Sequence, residues 1–63
     1  MPMSGKDMLK LYLANGWIFI RQTGSHMIIG KDGIRESIPN HKELKKGTER
    51  ALLKRLKKEG GKN

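Results

Sequence analysis

Two tight-turn signals in close succession constrain this 63-residue chain more than any other feature. Gly24 separates a run of β-formers, Trp17 to Thr23, from a second run, Ser25 to Gly30. Lys31-Asp32-Gly33 follows, and Asp-Gly is a favoured pair in two-residue hairpin loops. A third run, Ile34 to Ile38, is closed by Pro39. β-branched and aromatic residues bounded by such turns read as strands. Two short hairpins in sequence leave an antiparallel meander of three strands. A lone sheet of that size needs a cover on at least one face.

The flanking segments supply the cover. Ser4 to Asn15 reads as a helix, with Ser4 and Asp7 forming a weak capping box. On a helical wheel Leu11, Met8, Tyr12, Leu9 and Leu13 share one wide face, and Lys6, Asp7, Lys10 and Ala14 face away. Asn15-Gly16 ends this helix, since both residues tolerate the left-handed conformation. Thr48 is the expected cap of a second helix running to about Lys58, with Leu52, Leu53 and Leu56 on its apolar side. Gly60-Gly61 is the expected stop. The order is α-β-β-β-α, a two-layer α+β domain with both helices on one face of a three-stranded antiparallel sheet. Residues 1–63 form one domain, with a core over about 4–58 and a basic tail over 59–63. Strand alternation puts Ile18 and Ile20 on one side of the sheet and Trp17 and Phe19 on the other. Both sides are apolar, so Trp17 and Phe19 are candidate contacts for a docked partner.

Composition narrows the function. Fourteen Lys and Arg against six Asp and Glu leave a formal charge of +8. That balance favours nucleic acid, an anionic membrane surface or an acidic protein. The single Trp, Tyr and Phe offer no broad platform for stacking bases. With no cysteine there is no disulfide framework and no thiolate-zinc site. No secretory leader and no apolar stretch of membrane-spanning length is visible, so a cytoplasmic protein without a membrane partner is expected. Asp7, Asp32, Glu36, Glu43, Glu49 and Glu59 are scattered, and no metal-ligand spacing or phosphate-binding loop occurs. Neither a metal nor a cofactor is expected.

The residue with the most chemical scope is His26, at the strand-turn-strand junction Thr23-Gly24-Ser25-His26. Imidazole takes or gives a proton at cellular pH. Metal-free RNA cleavage needs that ability, because a ribose 2′-hydroxyl must lose a proton and a leaving 5′-oxygen must gain one. On spacing alone, a surface imidazole with no chemical task is the simpler reading. His41 lies in the connector after Pro39, and an RNA contact or loop packing suits it better than catalysis. The basic residues cluster at Lys42, Lys45 and Lys46 in the connector. On the second helix Arg50, Lys54, Lys57 and Lys58 form a stripe opposite the leucines. Such a stripe is commonly a solvated face; with a charge of +8 it reads as a track for phosphates.

The order of features resembles the HicA-type mRNA interferase toxins of toxin–antitoxin modules. The matching pieces are Leu13-Ala14-Asn15-Gly16-Trp17, Arg21-Gln22-Thr23-Gly24-Ser25-His26, Ile38-Pro39-Asn40-His41 and Glu43-Leu44-Lys45-Lys46-Gly47-Thr48, leading into Leu52-Leu53-Lys54. Each is weak alone; together, in this order, they are fairly specific. The resemblance implies a double-stranded-RNA-binding-domain-like fold and a ribonuclease whose catalytic histidine is the one in Gly-Ser-His, hence His26. It also implies a HicB-type antitoxin as partner. Lys57-Lys58-Glu59-Gly60-Gly61 departs from the apolar end that family members often have after the second helix. The expectation is an mRNA endoribonuclease. Gly24 and Ser25 set the turn and meet the scissile phosphate, and Lys45, Lys46, Arg50 and Lys54 hold the RNA backbone. The inhibitor is expected to be acidic. The rival is a non-catalytic module for double-stranded RNA or the ribosome, needing the basic surface but not His26. A DNA-binding β-ribbon protein is a third reading, disfavoured because no dimer-forming feature is visible.

Overall fold

A computed structural model describes residues 2–59, which follow the expected order. The elements are α1 (Gly5–Ala14), β1 (Ile18–Thr23), β2 (His26–Lys31), β3 (Ile34–Pro39) and α2 (Lys46–Glu59). The expected stop at Gly60-Gly61 and nearly all of the tail lie outside the described residues; Glu59 closes α2.

Local chemistry accounts for the ends of α1. The Ser4 hydroxyl accepts a hydrogen bond from the Asp7 backbone N–H at 3.0 Å, satisfying one of the orphan donors of the first turn. At the other end Asn15 is the C-cap and Gly16 takes the left-handed conformation at φ 92°. The Lys31 ammonium donates to the Asn15 carbonyl oxygen at 3.0 Å, putting a cation on the negative end of the helix. The start of α2 differs from expectation. Helix begins at Lys46, so Thr48 lies inside its first turn and does not cap it. The segment before α2 is held from elsewhere. The Leu44 N–H donates to the Met3 carbonyl at 2.8 Å, and the Met3 N–H donates to Glu49 Oε1 at 3.0 Å.

The sheet has order β1-β2-β3, with both neighbours antiparallel. Gly24 has φ 58° in the first turn, and Asp32 (φ 51°) and Gly33 (φ 83°) form the second. Two consecutive left-handed residues are what the Asp-Gly hairpin loop requires. Pairing runs Met27↔Ile38 and Ile29↔Glu36 across β2 and β3. Met27, Ile29 and Ile38 therefore share one face, which the helices cover. They pack with Met8 and Tyr12 of α1, Leu52 and Leu56 of α2, and Trp17 and Leu44 from the connections, all nearly or fully buried. Each such apolar side chain contributes roughly 1.5–3 kcal/mol on burial.

One irregularity changes the faces of β1. Phe19 pairs with Ile29, yet Arg21 pairs with Ile28, so Ile20 is an extra residue in β1. This β-bulge reverses the alternation beyond it. Phe19 lies on the helix side, whereas Ile18, paired with Gly30, and Arg21, paired with Ile28, lie on the open side. The expected division of Ile18 and Ile20 from Trp17 and Phe19 holds, since Ile18 and Ile20 both border Gly30 on the open side; what is corrected is that the Trp17–Phe19 side is the one the helices cover. Trp17 is 2% exposed, inside the core, where its ring meets Tyr12 edge-on at 5.0 Å between centroids. The reason is the short Asn15-Gly16 connection: the Trp17 N–H is already bonded to the Tyr12 carbonyl at 3.2 Å, which leaves the indole against α1. Ile18, by contrast, is 63% exposed.

Candidate functional site

His26 is the first residue of β2 and is exposed. Its position follows from the hairpin. Thr23 pairs with His26, which leaves Gly24 and Ser25 as the two-residue loop. The Gln22 side-chain amide donates to the Gly24 carbonyl at 3.0 Å. The Ser25 carbonyl accepts the Asn40 N–H at 2.7 Å, tying the turn to the end of β3. The imidazole therefore stands on a strand braced from both sides, not on a free loop.

Register places its neighbours. Directly paired residues share a face, and successive residues of a strand alternate. Across the open face, one row is Thr23–His26–Pro39 and the next is Arg21–Ile28–Ser37; Gly30–Arg35 lies one row further. Arg21, Thr23, His26, Ile28, Arg35 and Ser37 line one shallow depression. An imidazole, two guanidiniums and two hydroxyls thus surround an apolar floor, Ile28. No described carboxylate lies within ion-pair distance of Arg21 or Arg35; Glu36, on the helix side, pairs with Arg55 at 3.3 Å. The two guanidiniums leave this surface positively charged.

The other expected site residues are distributed as follows. Gly24 and Ser25 form the turn beside His26. Lys45, Lys46, Arg50 and Lys54 are exposed, but they lie at the start and on the outside of α2, in the helix layer, and none lines the depression that holds His26. Lys54 borders a separate surface with Glu36, Arg55 and Lys58. Phe19 is 46% exposed beside α1, in a groove with Leu9 and Leu13 that Lys6 and Lys10 edge. Trp17 is unavailable to a partner because it is buried. His41 is exposed, and its backbone carbonyl accepts the Gly5 N–H at 2.8 Å. Among the described residues no three His, Asp or Glu side chains converge in a way that would hold a metal. No described helix is long and apolar enough to cross a membrane.

Arg21 and Arg35 belong to this surface although no motif singles them out. The signal available in sequence is the two-residue turn, which pairs Thr23 with His26 and fixes which later residues share a face. For Arg35 a second turn extends the count across β3. For Arg21 simple alternation backward from Thr23 also suffices, since the bulge lies beyond it at Ile20.

By architecture this is a basic α-β-β-β-α domain of the double-stranded-RNA-binding kind, with helices on one sheet face and a solitary exposed imidazole on the other. The family profile described as the HicA toxin of bacterial toxin–antitoxin systems matches residues 5–58, and the chain belongs to that family. Membership makes it the toxin of such a module and implies an antitoxin partner. No curated protein and no solved structure matches the chain.

Proposed function

We propose that this toxin is an endoribonuclease that cuts mRNA without a metal, as part of a type II module, with His26 as its catalytic residue. The observation that carries the reading is the exposed imidazole at the head of β2, on the uncovered face of a strongly basic domain. The ribose 2′-oxygen attacks the adjacent phosphorus, and the phosphorus–5′-oxygen bond breaks. One proton leaves the 2′-hydroxyl and one reaches the 5′-oxygen. His26 carries one of these transfers and water the other. The products are a 2′,3′-cyclic phosphate and a 5′-hydroxyl. General acid–base help of this kind is worth roughly 10²–10⁴-fold per group. Gly24 and Ser25 bring the backbone of the turn close to the scissile phosphate. Lys45, Lys46, Arg50 and Lys54 attract the RNA backbone from the helix layer.

The test is His26→Ala. An exposed side chain at a strand end adds little packing, so the variant folds with an unchanged circular dichroism spectrum. RNA cleavage and growth arrest are expected to disappear. Cleavage by the parent protein persists in excess chelator, and a substrate with deoxyribose at the cleaved position binds but stays whole. A folded His26→Ala protein that still cuts RNA removes the catalytic assignment. One that still arrests growth without cutting favours a binding module of the same fold.

A further inference from the structure

A site with a single imidazole leaves a charge problem unsolved. As the 2′-oxygen–phosphorus bond forms, the two non-bridging oxygens of the phosphate gain negative charge, and a proton carrier does not neutralise them. Preorganised donors aimed at developing charge are often the largest single catalytic term. The lysines of α2 lie outside the depression that holds His26. The guanidiniums inside it are two, one on each strand flanking β2.

Their positions differ in a way that assigns them different tasks. Arg21 is opposite Ile28, one row from His26, so it is a diagonal neighbour of the imidazole. Such diagonal pairs stand about 7–8 Å apart at the backbone, within reach of a long side chain. Arg35 is opposite Gly30, a further row along the strand. The bulge at Ile20 is part of the arrangement. Had the pairing of Phe19 with Ile29 continued without an extra residue, Arg21 would fall opposite Met27, on the helix-covered face. The bulge instead turns Arg21 out to the face of His26, and re-aiming a side chain beside a site is a recurrent use of bulges. Neither arginine has a described carboxylate partner to satisfy it. Each guanidinium is permanently charged and presents a planar fork that suits two phosphate oxygens at once.

We infer that Arg21 binds the non-bridging oxygens of the scissile phosphate and stabilises the charge that develops there, while Arg35 holds the neighbouring phosphate of the same strand. This rests on the ribonuclease reading with His26 as proton carrier. No proton passes through either arginine. Ile28, between them, is the apolar floor against which a ribose or base edge rests.

The experiment compares Arg21→Gln, Arg21→Lys, Arg35→Gln and His26→Ala on one RNA oligonucleotide. Single-turnover rates are read at saturating enzyme, and binding is read with the deoxyribose analogue. Arg21→Gln is expected to slow cleavage about 10²–10³-fold, the usual cost of one oxyanion donor, with a much smaller loss of binding. Arg21→Lys recovers only part of the rate, because an ammonium lacks the fork. Arg35→Gln weakens binding and lowers the slope of log K against log salt by about 0.7, with the saturated rate nearly unchanged. Circular dichroism of the four variants matches the parent, since all three positions are exposed. If His26→Ala is inactive but both glutamine variants bind and cut normally, the arginine assignment fails and the ribonuclease reading survives. If both variants lose binding and rate in the same proportion, the division of roles is wrong. If His26→Ala cuts normally, the underlying reading falls, and a rate loss in Arg21→Gln would then have to be explained without His26.

Discussion

The Tyr12 hydroxyl donates to the carbonyl oxygen of Leu52 at 2.6 Å and so ties α1 to α2 through a fully buried contact. Burial, with the nearby Glu36 carboxylate adding to it, pushes the phenol up to about 12, against a smaller opposing effect of Arg55. Two outcomes follow at this scale. Tyr12→Phe should cost about 0.5–1.5 kcal/mol of stability at neutral pH, the net worth of a buried hydrogen bond. Above pH 10 the sign of the pH effect is set by proton binding. An unfolded tyrosine loses its proton near 10, whereas the folded one keeps it to about 12. The folded state then binds more protons, so stability is fully present below 10 and falls as pH rises through that window. The advantage of the parent over Tyr12→Phe should therefore shrink between pH 10 and 12. Urea midpoints of the two proteins across that range measure it, and an unchanging difference would contradict the burial argument. The comparison cancels whatever the two proteins share.

Among elements, the junction between α1 and the end of β3 leaves no room for a side chain at Gly5. A Cβ on Gly5 would collide with the carbonyl oxygen of Pro39 and stand 3.0 Å from the Asn40 Cα. Both are backbone atoms, so neither can swing aside. Helix propensity alone favours Gly5→Ala by up to about 1 kcal/mol. The close approach reverses that, and overpacking of this kind costs typically about 1–3 kcal/mol. Gly5→Ala is expected to lower the melting temperature. Gly47→Ala, in the first turn of α2 with open space around it, is expected to raise it slightly. Thermal melts of the pair give opposite signs if packing decides, and the same sign if propensity does. The element scale is also where the sequence reading needed correction. Thr48 looks like a helix cap, yet α2 starts at Lys46 because Met3 and Glu49 anchor the connector from a distance.

For the whole molecule, the basic residues of the proposed RNA site fall on two surfaces, the open sheet face and the outside of α2, while Lys6 and Lys10 edge the Phe19 groove. Lys45, Lys46, Arg50 and Lys54 belong to the second, so in the proposed ribonuclease they would attract RNA and take no part in the chemistry. Removing any one is expected to weaken RNA binding about equally for all sequences. Each loss should lower the slope of log K against log salt by roughly 0.7–0.9, with the rate at saturating RNA intact. An unchanged slope would move the RNA track off α2. The antitoxin must meet a toxin of charge +8, so an inhibitor acidic near its contact gains both speed of encounter and specificity. Covering His26 silences the chemistry directly. The Phe19 groove, edged by Lys6 and Lys10, is the apolar contact we propose for the antitoxin, with Trp17 in the core. In the complex, hydrogen exchange should slow around residues 24–26 and RNA should remain whole. A partner bound elsewhere, with RNA still cut, would refute occlusion.

Turn and cap chemistry is local, so the element order is legible in the chain alone. Gly24, Asp32-Gly33, Ser4 with Asp7, and Asn15-Gly16 each act through the conformation of a few adjacent residues, and each stands where the reading put it. The chain alone also placed His26 beside a tight turn, although the strand opens at His26 and not at Ser25, because Thr23 pairs with His26 and leaves Gly24 and Ser25 as the loop. Which side of β1 the helices cover, and how the faces run on past Phe19, were decided only in three dimensions. Period-two alternation assumes unbroken pairing, and the extra residue at Ile20 arises from packing of β1 against β2, so no local pattern announces it. The same holds for Trp17, whose burial depends on Tyr12 waiting under a short connection. The clearance at Gly5 depends on where β3 ends relative to α1. Arg21 joins His26 by alternation back from Thr23, but the addition of Arg35 to that surface needs the third strand. Residues far apart in the chain meet only after the core has closed, and contacts made there have no short-range signature to read.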